Sequence, residues 1–118
     1  MSVDTGLIDW VAEALEPMGT VSKRPMMGGA TLYLDGIVFA IVSQDGALWF
    51  KADAQSDAIW DENGCVRFTF DMGDKTGSMN YRRAPDDVFD DCEAMQRCAA
   101  LGVEAGRRAP VKKRKGKG

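Results

Sequence analysis

Hydrophobic and polar positions change their spacing several times along the chain, and each change marks an element. Leu7, Val11, Ala14, Leu15 and Met18 recur at the intervals of one helical face, which Ile8 and Trp10 widen. Asp4 or Thr5 can cap this helix, which runs to about Glu16, and Pro17 and Gly19 end it. Thr20 to Arg24 reads as an extended lead-in to the stretch that organises the rest, Lys23 to Asp53. That stretch holds two Asp-Gly pairs, Asp35-Gly36 and Asp45-Gly46, each between apolar or alternating runs. Asp-Gly suits a type I′ hairpin turn, in which both central residues need positive φ. Three strands joined by tight turns follow, at about 27–34, 37–43 and 47–52. In the third, Leu48 and Phe50 fall on one face, Trp49 and Lys51 on the other. The pair Gly28-Gly29 suggests a bulge or a close backbone approach.

Beyond Asp53, a plausible N-cap, a short helix docks Ala58, Ile59 and Trp60 on the sheet, and Asn63-Gly64 supplies a left-handed stop. The run Cys65 to Phe70 alternates cleanly, and a last strand lies around Ser78 to Arg82. Asp91 caps a final helix through about Arg107 with Met95, Cys98, Ala99, Gly102 and Val103 on its inner face. Gly102 and Gly106 each weaken a helix by about 1 kcal/mol, so they make sense where that face packs closely or the end frays. The order is α, three strands, α, two strands, α. Without parallel βαβ alternation this predicts an α+β, two-layer sandwich, its antiparallel sheet carrying the helices on one face.

Length and charge narrow the reading. At 118 residues the chain forms one domain, expected over residues 1–107, with 108–118 as a disordered basic tail. Seven basic residues from Arg107 onward leave residues 1–106 with 8 basic against 18 acidic, an acidic body. No window approaches the ~18 uninterrupted apolar residues of a membrane helix. The start MSVDTGLIDW has no basic region, so it is not a signal peptide and the expected location is cytoplasmic. Cys65, Cys92 and Cys98 read as reduced thiols, and no histidine is present. The chain therefore lacks Ser-His and Cys-His pairs, and neither a metal nor a cofactor is expected.

Several short motifs agree in order and spacing with a known family. They are Arg24, Met26 to Gly29, Leu32, Tyr33 and Gly36; then Phe39-Ala40 and Leu48 to Asp53; then Phe68 to Phe70 and Met79 to Pro85. Over residues 5 to 107 the chain resembles the N-terminal domain of the TfoX/Sxy family. It departs at Met27, where the family usually has an aromatic residue, and at Thr31, where it usually has glycine. Larger members add a C-terminal helical domain, and this chain stops before one could begin. The resemblance implies the same α-β3-α-β2-α domain and a role in competence for DNA transformation or in gene expression, beside a DNA-bound transcription factor. No catalytic residues are established for the family, so none carries over.

Among candidate sites, Lys23, Arg24, Arg82 and Arg83 would form one positive patch if the last strand lay near the start of the meander. Such a patch suits a small anion, bound or acted upon, or an acidic partner surface; local pairing with acids such as Asp86 and Asp87 is the plainer alternative. Arg107, Arg108, Lys112, Lys113, Arg114, Lys115 and Lys117 are nucleic-acid candidates, binding weakly and without sequence preference. No aromatic residue interleaves them. Met26, Met27 and Met79 could form a soft apolar patch, and Asp86, Asp87, Asp90 and Asp91 fit helix capping. The leading expectation is a non-enzymatic regulatory module that binds a protein partner, a transcription factor or a second copy, through the uncovered sheet face or an edge strand.

Overall fold

The computed structural model describes residues 5–26, 29–43, 45–71, 73 and 76–109. Helix α1 covers Thr5–Ala14 and passes into a 3₁₀ turn at Glu16–Met18, where Pro17 breaks the ladder. Four strands follow: β1 Val21–Met26, β2 Gly29–Leu34, β3 Ile37–Val42 and β4 Leu48–Lys51. Helix α2 is Asp57–Glu62, β5 is Arg67–Asp71 and β6 is Thr76–Arg83. A 3₁₀ turn at Asp86–Phe89 leads into α3, Cys92–Arg108. Asp91 caps α3, its carboxylate accepting from the Glu93 N–H at 2.9 Å.

The six strands form one antiparallel sheet in the order β1-β2-β3-β4-β6-β5. The α+β architecture is as expected, but four strands precede α2 where the sequence reading counts three. Lys23-Arg24-Pro25 does not look like a strand, because it is polar and contains a proline. β1 is the outer strand with a single neighbour, the place in a sheet where a proline is tolerated, and Pro25 sits there opposite Ala30.

The turns also differ from one another. Asp35-Gly36 has φ of 51° and 86°, both positive as type I′ requires. Asp45-Gly46 does not repeat this, since only Gly46 has positive φ, at 87°. There the strands are joined by a longer loop in which the Ser43 N–H reaches Ala47 O at 2.9 Å. The Asp45 carboxylate accepts from the Ser43 hydroxyl and the Ala47 N–H, and these bonds hold its pKa below the usual carboxylate range.

The main core lies between the sheet and the helices. Ile8, Val11 and Ala14 of α1, Trp60 of α2, and Met95, Ala99 and Val103 of α3 meet Leu32, Ala40, Val42, Leu48 and Phe50. The β2–β3 register slips by one residue between Leu32 and Tyr33, so Phe39 has no cross-strand partner. This bulge puts Phe39 and Ala40 both in the core on the helix side, where regular alternation would send one of them to the other face. The Phe50 ring stacks on Trp60 at 5.8 Å between centroids.

Helix α3 lies directly on β3. A Cβ at Gly102 would sit 2.5 Å from the Phe39 carbonyl oxygen, and one at Gly106 would sit 2.3 Å from that of Val38. Close packing is thus the reason for both glycines. At Gly29 a Cβ would meet the Val42 carbonyl oxygen at 2.0 Å, so this half of the glycine pair marks a close approach; Gly28 lies outside the described residues. Among the described residues no helix is long and apolar enough to cross a membrane.

Candidate functional site

Cross-strand register places the four basic body residues, and it does not bring them together. β1 and β6 are separated by β2, β3 and β4. Adjacent residues of a strand also point to opposite faces. Lys23 is in register with Leu32 and Arg82 with Phe50, so both lie on the helix side. Arg24 is in register with Thr31, and Arg83 with Trp49, on the side without helices.

Arg82 is the most constrained of the four, its side chain only 4% exposed. One guanidinium nitrogen donates to Asp61 at 2.7 Å and to the Cys65 carbonyl at 2.8 Å; the other donates to Asp57 at 3.1 Å. Burial pulls the pKa of Arg82 down, but the carboxylates of Asp61 and Asp57 more than offset this and raise it overall. Its Nε finds no acceptor. Arg67, in register with Arg82, reaches the Asp57 carboxylate at 3.5 Å. The two arginines line a shallow, open hollow with Asp61, Gly64, Cys65 and Val66. Their charge is already met there by Asp57 and Asp61. The partners are Asp57 and Asp61 of α2 and not the Asp86 and Asp87 that the sequence suggests.

The face without helices has a different composition. Ile41, Trp49 and Tyr81 form a small second cluster there, with Ala47 and Phe68 packed against it. The Trp49 and Phe68 rings meet edge to face at 4.9 Å, and the Trp49 indole N–H donates to the Ser43 hydroxyl at 3.2 Å. Each of three cations lies over a ring. Arg83 is 5.4 Å from the Trp49 centroid, Lys51 is 5.2 Å from Tyr81, and Arg24 is 6.0 Å from Tyr33. These contacts, with neighbouring side chains, leave Trp49 9% and Tyr81 8% exposed, although no helix covers them. Met79, from β6 on the same face, is 40% exposed. The candidate list omits Lys51, Tyr33 and Tyr81. Their signal was the alternation that already put Trp49 and Lys51 on one face.

The remaining candidates divide. Arg108 ends α3 in a two-pronged pair with Asp53, at 2.7 and 2.9 Å, while Arg107 is exposed. Lys112, Lys113, Arg114, Lys115 and Lys117 lie outside the described residues, as does Met27. Burial raises the pKa of the Cys65 thiol and pushes that of Cys98 up to about 11, which keeps both protonated at neutral pH. Among the described residues no group of three His, Cys, Asp or Glu side chains comes together to hold a metal ion.

Residues 13–106 match the family model described as the TfoX N-terminal domain. The chain is 31% identical over 67 residues to DNA transformation protein TfoX1 of Aliivibrio fischeri, covering 57% of this chain and 32% of that protein. It is 28% identical over 93 residues to protein Sxy of Escherichia coli, covering 79% of this chain and 44% of that protein. The chain thus spans less than half the length of either relative. Because the family match runs from within α1 almost to the end of α3, the chain belongs to the TfoX N-terminal domain family.

Proposed function

We propose that this domain is a regulatory docking module in the control of DNA transformation, acting in the cytoplasm on a protein partner such as a transcription factor and performing no bond-making itself. The observation that carries the reading is the asymmetry of the sheet. One face is roofed by three helices, while among the described residues no helix lies on the other, where lysine and arginine side chains lie over the rings. A face built this way offers mixed apolar and cationic surface on a rigid base, which suits recognition of another protein. The kinship with a protein named for DNA transformation supports the regulatory context.

The test is made in the native host. Deleting the gene should change transcript levels of DNA-uptake genes, and the full chain should restore them. A chain carrying Met79→Asp, a charge placed at an exposed position of the open face, should fold but fail to restore them. Unchanged transcripts on deletion, or full rescue by Met79→Asp, would remove the proposal.

A further inference from the structure

Charge in this molecule is sorted by layer. The strands carry Lys23, Arg24, Lys51, Arg67, Arg82 and Arg83 against one acid, Asp71. The helices and 3₁₀ turns carry mostly acids, among them Asp9, Glu13, Asp61, Asp86, Asp87 and Glu104. Of the strand cations, Arg67 and Arg82 are neutralised by carboxylates of α2. Among the described residues Lys23, Arg24, Lys51 and Arg83 are in no ion pair; Lys23 lies on the helix side, and the other three lie on the open face.

Their arrangement follows from the register. Arg24, Thr31, Ile41, Trp49 and Arg83 are successive cross-strand partners and form one row across five strands. At about 4.8 Å per strand the row puts its two arginines about 19 Å apart. Lys51 is two residues along β4 from Trp49, on the same face, and Tyr33 and Met79 add apolar surface near either end. The rings beneath the cations hold them in place, so less side-chain freedom is lost when a carboxylate binds.

We infer that the open face docks an acidic amphipathic protein segment, whose carboxylates pair with Arg24, Lys51 and Arg83 while its apolar residues cover Met79 and the Trp49–Phe68 cluster. This rests on the docking reading above and names the chemistry of the partner. Two other occupants fit less well. A nucleic-acid strand would need open ring faces for its bases, but Trp49 and Tyr81 are nearly covered. A second copy packed sheet to sheet would bring like cations together across the two-fold axis.

The probes are a glutamate–leucine copolymer, poly-L-glutamate and oligothymidylate, each titrated into isotope-labelled full chain at low salt. Lys112, Lys113, Arg114, Lys115 and Lys117 are replaced by serine so that the tail cannot bind the probe. The copolymer should bind more tightly than poly-L-glutamate and shift the amide signals of residues 24, 49, 51 and 83. Arg24→Glu with Arg83→Glu should weaken binding at least about tenfold, as expected for close charge pairs. These residues are exposed, so circular dichroism should show the fold unchanged. No shift on that face, shifts confined to the helix layer, or tighter binding of oligothymidylate would overturn the inference. The native-host rescue separates the two proposals. If Met79→Asp fails to rescue but the arginine reversal rescues fully, docking stands and the acidic partner falls; if both variants rescue, both fall.

Discussion

Gly102 has no room for a methyl group, because the nearest obstacle is the backbone carbonyl of Phe39 and not a side chain that could swing away. Overpacking of this kind costs about 1–3 kcal/mol, against a gain of about 1 kcal/mol from the better helix propensity of alanine. Gly102→Ala should therefore destabilise the protein, lowering its melting temperature by about 4–8 °C for each kcal/mol lost. A scan showing equal or higher stability would mean that α3 does not lie this close to β3. Arg82 offers a second check at the same scale. Arg82→Met leaves two carboxylates that are 25% and 67% exposed and can turn to water, so the loss should be about 1–2 kcal/mol. Asp57→Asn with Asp61→Asn instead leaves a buried guanidinium without a counter-charge and should cost about 3–5 kcal/mol. Denaturant unfolding should rank the pair in that order.

Elements whose signals are local were legible in the sequence. The Asp91 cap, the inner face of α3, the Gly64 stop after α2 and the Asp35-Gly36 turn each depend on a few neighbouring residues. β1 was read only as an extended lead-in, because an edge strand has one partner and can keep a proline and charged residues. The two Asp-Gly pairs look alike locally, yet the Asp45 carboxylate bonds to its own loop and selects a wider connection. The end of α3 is tied to the β4–α2 loop by Arg108 and Asp53, a pairing 55 residues apart that no local pattern announces. The Arg108 guanidinium lowers the pKa of Asp53 from 3.8 to about 2. Because the folded value is the lower one, this stabilisation is fully present above pH 3.8 and is lost as the pH falls towards 2. Asp53→Asn should therefore lower the melting temperature modestly at neutral pH, and the gap to the parent protein should close near pH 2. A gap that persists at pH 2 would assign the effect to the turn that Asp53 makes with Ser56.

The whole molecule presents an acidic helix layer and a cationic sheet face, and salt should act on its contacts in opposite directions. Rising ionic strength should weaken binding of an acidic peptide, while any face-to-face self-association should strengthen as like-charge repulsion is screened. Sedimentation and peptide titration at two salt concentrations would test both signs. The sequence by itself determined the three helices, most of the strands, the inner face of α3 and the family, because helical and strand periodicity, caps and tight turns are written within a few residues. It missed β1 and turned Ala58 and Ile59 of α2 inward, where only Trp60 is buried. Only the tertiary structure decided which arginine is neutralised and which is presented. Arg82 and Arg83 are neighbours in the chain but lie on opposite faces of a strand. Their partners, Asp57 and Asp61 of α2 for one and Trp49 of β4 for the other, arrive from elements whose placement beside β6 no local pattern encodes.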